Sequence, residues 1–486
     1  MVTVAAVALL GALAGSAAPC ESLKSLSLPN TTVTAAEQVL AKPSGSQSFV
    51  PAHCRVAMVL TPSPDSHIEM EVWLPLENWN GKFQAVGNGG WAGVISYGAM
   101  VAALQNGYAT ASTDTGHKGG SGVFAVGHPE KLIDFGYRSM HEMTVAAKRV
   151  VAAFYDRAPR LSYYNGCSTG GRQGLMEAQR YPDDFDAIVA GAPVYNQIHL
   201  NTSQVARQIE MLRDPSLILP PAKMKMVAAA VLNACDARDG VRDGIVGDPE
   251  HCAFDPSALL CKGADAADCL TEKQVESTRK AYAPVKTRAG VVVYPGHSPG
   301  FESGWRMAQP GATLNPLFTD MPRYVAHQDA NWDVTSFDLD ADLALAVEHG
   351  GYIEASDPHL AKFKARGGKL LLYHGWADPG PAPANTIHYL NEVTRTLGGK
   401  QDDWLRLFLL PGVGHCGGGP GADQADFVGA IERWRESGTA PDQIPAAHVT
   451  GNRVDMTRPI CAYPSVAQYK GAGSTNDAAN FVCKTP

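Results

Sequence analysis

The chain has 486 residues, of which 45% are hydrophobic, and its formal net charge at pH 7 is −8. This hydrophobic content is ample for a large core. The length fits two or three folding units, or a single α/β fold with long insertions. The charge is spread along the chain, which argues against a nucleic-acid-binding surface. We therefore expect a globular protein that binds no nucleic acid.

The N-terminus has the pattern of a secretion signal. Residues 2–14 form a mostly apolar run, and small residues follow it, an order typical of a signal peptide and its cleavage site. The run lacks a Lys or Arg at its start, which departs from the pattern, and it is too short for a comfortable membrane span. We predict a signal peptide over residues 1–18 and a secreted or periplasmic protein. No other stretch reaches membrane length, so we expect no membrane span.

The chain has ten cysteines, a number that is consistent with an exported protein. An even number in an exported chain favours disulfides over the alternative of buried free thiols. The residues alone do not fix the pairing.

The first part of the chain alternates strand and helix. Residues 55–60 and 67–75 alternate polar and apolar side chains, which predicts an antiparallel hairpin. Further strands and one long amphipathic helix are predicted, at 82–86, 108–112 and 185–190 for the strands and 139–157 for the helix. This alternation indicates a mostly parallel sheet with helices on both faces.

A glycine cluster, residues 87–93 (GNGGWAG), follows the strand at 82–86. Glycine lets bare backbone N–H groups face a ligand. The cluster is therefore a candidate arm of an oxyanion hole. The alternative is a plain glycine turn.

The segment Gly166-Cys167-Ser168-Thr169-Gly170 contains G-x-S-x-G, the nucleophile-elbow pattern. Residues 161–164 before it predict a strand, and residues 171–181 after it predict a helix that ends at Pro182. A tight turn between the two would expose the Ser168 hydroxyl at the helix N-terminus. We interpret Ser168 as a nucleophile; the alternative is a structural turn.

The alternation breaks near Tyr195. Residues 196–355 contain many Pro and Gly, four cysteines and scattered tryptophans, which predicts an inserted lid domain of irregular loops. Alternation then resumes with predicted helices and strands and ends in a loop-rich tail. The helices are expected at 357–366, 383–397 and 422–437, and the strands at 369–373 and 405–410.

An acidic loop lies within the predicted lid. Residues 235–246 (CDARDGVRDGIV) place Asp236, Asp239 and Asp243 close together. Calcium takes roughly six to eight oxygen ligands, including backbone carbonyls, but the spacing is not that of an EF-hand. On spacing alone, a metal loop and a solvated acidic turn are both open.

Two later segments supply an acid and a base. Asp378 follows the strand at 369–373, and His415 follows the strand at 405–410. An α/β-hydrolase triad runs in the order Ser, acid, His, with the acid and the base on loops after late strands. Such a serine needs an imidazole to accept its proton and a carboxylate to orient the imidazole. We predict the triad Ser168, Asp378 and His415.

Competing residues lie nearby. His374 stands at a strand end, where a hydrogen-bonded core histidine is the alternative, and His388 lies within a helix. Asp402 and Asp403 precede a strand and are predicted to be solvated. The predicted organisation is an α/β-hydrolase core in two parts, 19–195 and 356–486, with the lid 196–355 inserted.

Cys167 precedes Ser168, and Cys416 follows His415. If the serine and the histidine meet, a Cys167–Cys416 disulfide would join the two loops and limit their motion. A rival interpretation makes Cys167 itself the nucleophile, which its position beside Ser168 in an oxidising compartment disfavours.

The combined motifs resemble the tannase and feruloyl esterase family, which includes hydrolases of mono-(2-hydroxyethyl) terephthalate. The similar segments are Gly-Cys-Ser-x-Gly-Gly at 166–171, the Asp378 loop, Gly-x-x-His-Cys-x-Gly-Gly-Pro-Gly at 412–421, and residues 188–193 and 458–464. The likeness covers nearly the whole mature chain. It implies a secreted serine esterase with an α/β-hydrolase core and a lid.

The resemblance also implies site residues. The oxyanion donors would be the N–H groups of Thr169 and Gly90, although relatives often carry an acidic residue where Thr169 stands. A structural Ca²⁺ would bind the side chains of Asp236, Asp239 and Asp243 and the carbonyls of Val241 and Ile245. The implied disulfides are Cys20–Cys54, Cys167–Cys416, Cys235–Cys252, Cys261–Cys269 and Cys461–Cys483.

The substrate is expected to be a small aromatic ester, with a feruloyl or other hydroxycinnamoyl ester first. Relatives that prefer the terephthalate monoester use a lid arginine, and neither Arg306 nor Arg323 matches its context. Terephthalate monoesters and gallate esters remain alternatives. So do a peptidase and, as a different class, an exported binding protein on a hydrolase fold.

Overall fold

The computed structural model describes residues 18–44, 48–307 and 313–486. The predicted signal peptide, residues 1–18, lies outside this part of the chain except for its last residue.

A nine-stranded sheet forms the centre of the protein. In chain order its strands are Thr31–Val39 (β1), His53–Leu60 (β2), Ile68–Pro75 (β3), Lys82–Val86 (β4), Ala109–Thr113 (β5), Leu161–Cys167 (β6), Ala187–Gly191 (β7), Lys369–Gly375 (β8) and Leu405–Leu410 (β9). Across the sheet they lie in the order β1-β2-β3-β5-β4-β6-β7-β8-β9. Strand β2 runs antiparallel to both β1 and β3, and β3 pairs antiparallel with β5. All pairs from β5 to β9 are parallel, so the predicted mostly parallel sheet is confirmed.

Helices cover both faces of this sheet. Alternate strand residues point to opposite faces, and so Tyr164 packs into one buried cluster while Tyr163 packs into another. Helices Ser139–Tyr155, Thr169–Arg180 and Pro383–Leu397 supply the first cluster. Helices Tyr97–Gln105 and Phe427–Ser437 contribute to the second. Helices on both faces are therefore confirmed.

Two predicted helices are shorter in the structure. The helix predicted at 357–366 is formed only over Ala361–Ala365, because the segment before it contains Pro358, which disfavours a helical residue at 357. The helix predicted at 422–437 begins at Phe427, where the Asp426 side chain accepts a hydrogen bond from the N–H of Gly429. Short helices also form at Pro129–Ile133 and Pro316–Asp320.

The chain leaves the sheet between β7 and β8. The prediction of irregular loops there is wrong in part, because four long helices form, at Gln197–Arg213, Pro221–Cys235, Glu272–Tyr282 and Leu339–Gly350. Capping explains one start: Thr271 and Gln274 form a capping box. Strands Val285–Lys286 and Val292–Tyr294 pair between the last two helices. The frequent Pro and Gly residues lie in the connections between elements, and for this reason the sequence pattern did not predict the helices.

The C-terminal tail is also more regular than predicted. It contains strands Gln443–Thr450, Arg453–Cys461, Val466–Tyr469 and Phe481–Lys484, which pair in two small antiparallel sheets; Gln424–Ala425 extends one of them. A further hairpin pairs Lys42–Ser44 with Ser48–Val50. Short strands of this kind gain stability from the pairing itself, which a local sequence pattern does not reveal.

Five disulfides join the described cysteines, in the five pairs that the family resemblance implies: Cys20–Cys54, Cys167–Cys416, Cys235–Cys252, Cys261–Cys269 and Cys461–Cys483. Among the described residues, no helix is both long and apolar enough to cross a membrane.

Candidate active site

The three predicted triad residues come from the carboxyl ends of three parallel strands. Ser168 follows β6 directly, Asp378 lies on the loop after β8, and His415 lies on the loop after β9. All three line one cavity. In open α/β sheets, ligands bind at this edge.

Ser168 occupies a strained turn. Its φ of 65° and ψ of −124° are unusual for a residue with a side chain. Backbone hydrogen bonds hold the turn from both sides: the Ser168 N–H donates to the carbonyl of Gly191 at 2.9 Å, and the Ser168 carbonyl accepts from the backbone N–H of Arg172 at 3.1 Å. Glycine is required close by, because a Cβ on Gly166 would lie 2.7 Å from the backbone of Gly170. The strand, turn and helix thus form the predicted elbow.

The acid and the base are in direct contact. His415 Nδ1 lies 2.6 Å from Asp378 Oδ2, and the Asp378 side chain is fully buried. Burial would raise the pKa of Asp378, but hydrogen bonds from His374 and His415 outweigh it and lower that pKa to about 2. Asp378 is therefore ionised at neutral pH, in the form that orients an imidazole.

The disulfide Cys167–Cys416 joins the serine loop to the histidine loop, with a distance of 6.0 Å between the two Cα atoms. The hydrogen bonds of the described residues do not include one between the Ser168 hydroxyl and His415. Such bonds are often long in proteins without substrate and tighten in the complex.

The two predicted oxyanion arms meet beside Ser168. Gly90, with φ of 57°, and Thr169 both line the cavity. The Thr169 hydroxyl donates to the carbonyl of Gly90 at 2.9 Å and so joins the arms. Thr169 is the first residue of its helix, where backbone N–H groups have no partner within the helix.

Asn88 and Gln173 fix the glycine loop, and the sequence analysis missed both. The Asn88 N–H donates to Gln173 Oε1 at 3.0 Å, and Gln173 Nε2 donates to Asn88 Oδ1 at 3.1 Å. Asn88 Nδ2 also donates to the carbonyls of Val94 and Thr113, each at 2.8 Å. The loop is thereby attached to the helix that follows Ser168.

The competing residues lie in different settings. His374 is a fully buried core histidine whose ring nitrogens contact Thr386 and Asp378. His388 Nδ1 lies 3.2 Å from the Tyr195 hydroxyl. Asp402 and Asp403 are exposed.

The opposite wall of the cavity comes from the segment 196–355 and the residues just before it. Its apolar part comprises Val194, Leu200, Leu317 and Phe318, and its polar part Gln197, Asn201 and Arg306. Gln197 is only 2% exposed, and its Oε1 has no hydrogen-bond partner among the described residues. Arg323 does not line this cavity.

The sequence matches the family model of tannase and feruloyl esterase over residues 54–484. The chain belongs to the tannase and feruloyl esterase family. An uncharacterized esterase from Xanthomonas campestris pv. campestris is 37% identical over 99% of this chain and 94% of the relative. A probable feruloyl esterase B-2 from Aspergillus terreus is 36% identical over 93% of this chain and 90% of the relative.

The crystal structure of feruloyl esterase B from Aspergillus oryzae superposes with a TM-score of 0.87, at 32% identity, and the match covers 96% of this chain and 99% of that chain. The protein is therefore a carboxylic ester hydrolase of the tannase and feruloyl esterase type, with the predicted α/β-hydrolase fold.

The acidic loop that this family resemblance predicts as a calcium site lies beside the C-terminal strands. Asp236 and Asp239 are buried, and Asp243 Oδ2 lies 2.5 Å from Arg458 Nη2. Burial, with the charges of Asp243 and Asp236, raises the pKa of Asp239 to about 7. Carboxylate oxygens that repel one another are donors of the kind that a hard cation takes, but Arg458 already offsets part of the charge of Asp243, and the three carboxylates are not among the described groups whose ligand atoms all lie within 4.8 Å of one another.

A second cluster brings His141, Glu177 and Asp184 together, with one potential ligand atom of each within 4.8 Å of the others. His141 Nδ1 lies 2.6 Å from Asp184 Oδ2, which is shorter than the roughly 3.3 Å that tetrahedral zinc geometry sets between two ligands. Burial, with the neighbouring Asp184, holds the pKa of Glu177 well above its usual range. These contacts favour a hydrogen-bonded pair beside a neutral carboxyl group over a set of metal ligands.

Proposed function

We propose that this enzyme hydrolyses esters of aromatic acids through a covalent acyl-enzyme on Ser168. The observation that carries the proposal is the convergence of Ser168, His415 and Asp378 from three strand ends on one cavity, with His415 bonded to an ionised Asp378. His415 accepts the Ser168 proton as the serine oxygen attacks the ester carbonyl. His415 then gives that proton to the departing alcohol, and water repeats the sequence to release the acid.

The N–H groups of Thr169 and Gly90 would hold the negative charge that develops on the carbonyl oxygen. The hydrogen bond between the Thr169 hydroxyl and the Gly90 carbonyl supports this role, because it fixes the two arms relative to each other before substrate binds. Donors held in place in this way stabilise a transition state without a cost of reorganisation.

A feruloyl or other hydroxycinnamoyl ester is the substrate class that the cavity favours. Its apolar wall suits an aromatic ring. The buried Gln197 amide oxygen, which has no partner among the described residues, would accept a hydrogen bond from a phenolic hydroxyl. A site with such an unpaired buried group discriminates against a substrate that lacks the matching hydroxyl. The relative from Aspergillus oryzae is named a feruloyl esterase, which points the same way.

Arg306 supports a second candidate. It lines the cavity, and a guanidinium binds carboxylates well, so a terephthalate monoester is the alternative substrate. A gallate ester, with several hydroxyl groups, is the third.

Turnover of methyl ferulate, methyl gallate and mono-(2-hydroxyethyl) terephthalate tests this order. We expect kcat/KM to be highest for methyl ferulate, and to fall about tenfold or more for methyl 3,4-dimethoxycinnamate, which lacks the phenolic hydroxyl. Gln197→Met keeps the side-chain length and should remove that preference, whereas Arg306→Met should leave it intact. A higher kcat/KM for the terephthalate monoester, lost in Arg306→Met, would reverse the order.

Three further properties complete the proposal. Residues 196–355 act as a lid that supplies the acyl-binding wall. A structural calcium ion is held by Asp236, Asp239 and Asp243 with the carbonyls of Val241 and Ile245, and its bound charge would offset the repulsion between the carboxylates. The protein is secreted or periplasmic, which its five disulfides support.

A further inference from the structure

His374 is a second imidazole on the carboxylate that orients His415. It is 0% exposed. Its Nε2 lies 3.0 Å from Asp378 Oδ2, the same oxygen that contacts His415 Nδ1. On the other side of the ring, Nδ1 lies 2.8 Å from the hydroxyl oxygen of Thr386.

The partners of His374 determine its tautomer. Asp378, ionised at neutral pH, only accepts hydrogen bonds, so His374 Nε2 carries the proton that faces it. The carbonyl of Pro381, 3.2 Å from Nε2, is also an acceptor. In a neutral imidazole Nδ1 is then the acceptor, and the Thr386 hydroxyl donates to it.

We propose that His374, oriented by Thr386, is a positioning residue that holds the Asp378 carboxylate in the rotamer that meets His415. This inference rests on the proposed function, since it assigns His374 a role in the same triad. The Gly380 N–H donates to Asp378 Oδ1 at 2.8 Å, and His374 donates to Oδ2. With one donor on each oxygen, the carboxylate cannot rotate away from His415.

A neutral hydrogen-bond donor beside Asp378 serves the triad better than a second positive charge would. A protonated His374 would neutralise Asp378 and weaken its pull on the His415 imidazolium. Among the described residues, His297 and Tyr294 also lie near Asp378, and Arg306 lines the same cavity. Burial lowers the pKa of His297 to about 4, with Asp378 opposing the shift, and burial raises the pKa of Tyr294. Both are therefore neutral at neutral pH, and neither adds a charge that competes with His415 for Asp378.

Two substitutions of Thr386 test the role without disturbing the histidine. Thr386→Val removes the hydroxyl and keeps the shape, so His374 loses the donor that selects its tautomer. We expect kcat to fall about tenfold with KM within about twofold, because small misplacements in a triad are costly. Thr386→Ser restores a hydroxyl and should recover most of the activity. Thr394→Val is the matched control: it lies on the same helix, and its hydroxyl donates only to the Leu390 carbonyl.

The pH profile separates positioning from a merely structural role. A less well-placed Asp378 stabilises the imidazolium that forms on His415 less. The acid limb of kcat/KM, which reports the base in the free enzyme, should therefore move to lower pH in Thr386→Val and in His374→Leu. We expect His374→Leu to lose about a hundredfold in kcat and His374→Gln, which retains an N–H near Nε2, to lose less.

Three results would overturn the inference. The first is a wild-type kcat in Thr386→Val. The second is a lowered kcat in that variant with no movement of the acid limb. The third is an acid limb that moves to higher pH, as it would if His374 only drew charge from Asp378. If His374→Leu does not fold, the comparison of Thr386→Val with Thr386→Ser tests the inference by itself. Full activity in Ser168→Ala would instead refute the proposed function, whereas an inactive Ser168→Ala beside a normal Thr386→Val would refute only the role of His374.

Discussion

The carboxyl edge of the sheet and the segment 196–355 face the same cavity and are built differently. The edge places each reactive side chain within a few residues of a buried strand end and joins two of its loops through Cys167–Cys416. The segment presents side chains from helices and connections, and its own short-range disulfides, Cys235–Cys252 and Cys261–Cys269, stabilise it.

Several hydrogen bonds join the two regions directly, among them those of Ser121 with Asp320, Gln204 with Gly380 and Asn385 with Asn196. Trp91 Nε1, in the glycine loop, donates to the carbonyl of Leu317 at 3.0 Å. The fully buried Arg172, on the helix after Ser168, donates to the carbonyl of Ile353 at 2.8 Å. The two regions should therefore respond differently to substitution. Substitutions at the sheet edge should affect bond breaking, and substitutions in the segment should affect substrate choice and stability.

The largest effect is expected at the nucleophile and the base. Ser168→Ala and His415→Ala should each lower kcat by about 10⁶-fold, as the loss of either group does in comparable triads. Both should keep the melting temperature of the wild type within a few degrees. Ser437→Ala, on an exposed serine, is the control and should be fully active. Substantial turnover by folded Ser168→Ala would point to another nucleophile.

The acid should matter less than the nucleophile. Asp378→Asn keeps the shape but presents the wrong hydrogen-bonding group to His415, and we expect kcat to fall about 10⁴-fold. Asp402→Asn changes an exposed carboxylate before β9 and should leave kcat unchanged. The reverse outcome would assign the orienting role to a different carboxylate.

The Cys167–Cys416 bridge should matter for both catalysis and stability. Cys167→Ala with Cys416→Ala should lower kcat about a hundredfold, measured well below the melting temperature, because the serine and histidine loops lose their fixed separation. The bridge spans 249 residues, and chain entropy suggests a loss of about 5 kcal/mol, reduced by any native strain.

Cys461→Ala with Cys483→Ala is the matched control for that bridge. It removes a bridge that spans 22 residues, which should cost about 3 kcal/mol in stability and leave kcat unchanged. Equal kcat in the two double variants would reduce the first bridge to a purely stabilising element.

Calcium should act on stability alone. Chelation should lower the melting temperature and leave kcat unchanged while the protein stays folded, because a ligand that binds only the folded state stabilises it by mass action. Asp236→Ala with Asp239→Ala should reproduce the loss in calcium-replete buffer, whereas Asp268→Ala, an exposed aspartate of the same segment, should not. An unchanged melting curve in chelator, with no calcium found by metal analysis, would contradict this site.

The smallest effect is expected in the pH dependence of the melting temperature, to which Asp239 of the same acidic loop should contribute. Without calcium, the raised pKa of Asp239, about 7, means that the folded state binds this proton more tightly than the unfolded chain. That stabilisation is present below about pH 4 and is lost as the pH rises through 7. In chelator at pH 8, Asp239→Asn should therefore melt roughly 2–4 °C above the wild type; with calcium, the wild type should melt higher. The same order in both buffers would contradict the assignment.

The sequence predicted the sheet edge well because its signals are local. A G-x-S-x-G turn, flanking glycines and buried strands lie within a few residues of Ser168, and the strands at 82–86 and 405–410 match the structure to the residue. The order of the three reactive residues then places Asp378 and His415 at the same edge.

The remaining features depend on contacts between distant residues. The bonds of Asn88 with Gln173 join residues 85 apart in sequence, and nothing near either residue signals them. His374 was placed correctly at a strand end, but its contact with Asp378 depends on the path of the loop between them. The helices of 196–355 were missed because Pro and Gly are frequent in their connections.

Covalent labelling of Ser168 tests the central claim most directly. A fluorophosphonate reacts with an activated serine and leaves an adduct that intact-mass measurement and peptide mapping can locate. The proposed triad predicts one adduct per chain, on the peptide that contains Ser168, absent in Ser168→Ala and formed far more slowly in His415→Ala. An adduct on another residue, or ester turnover by a wild-type enzyme that the reagent neither labels nor inhibits, would contradict it.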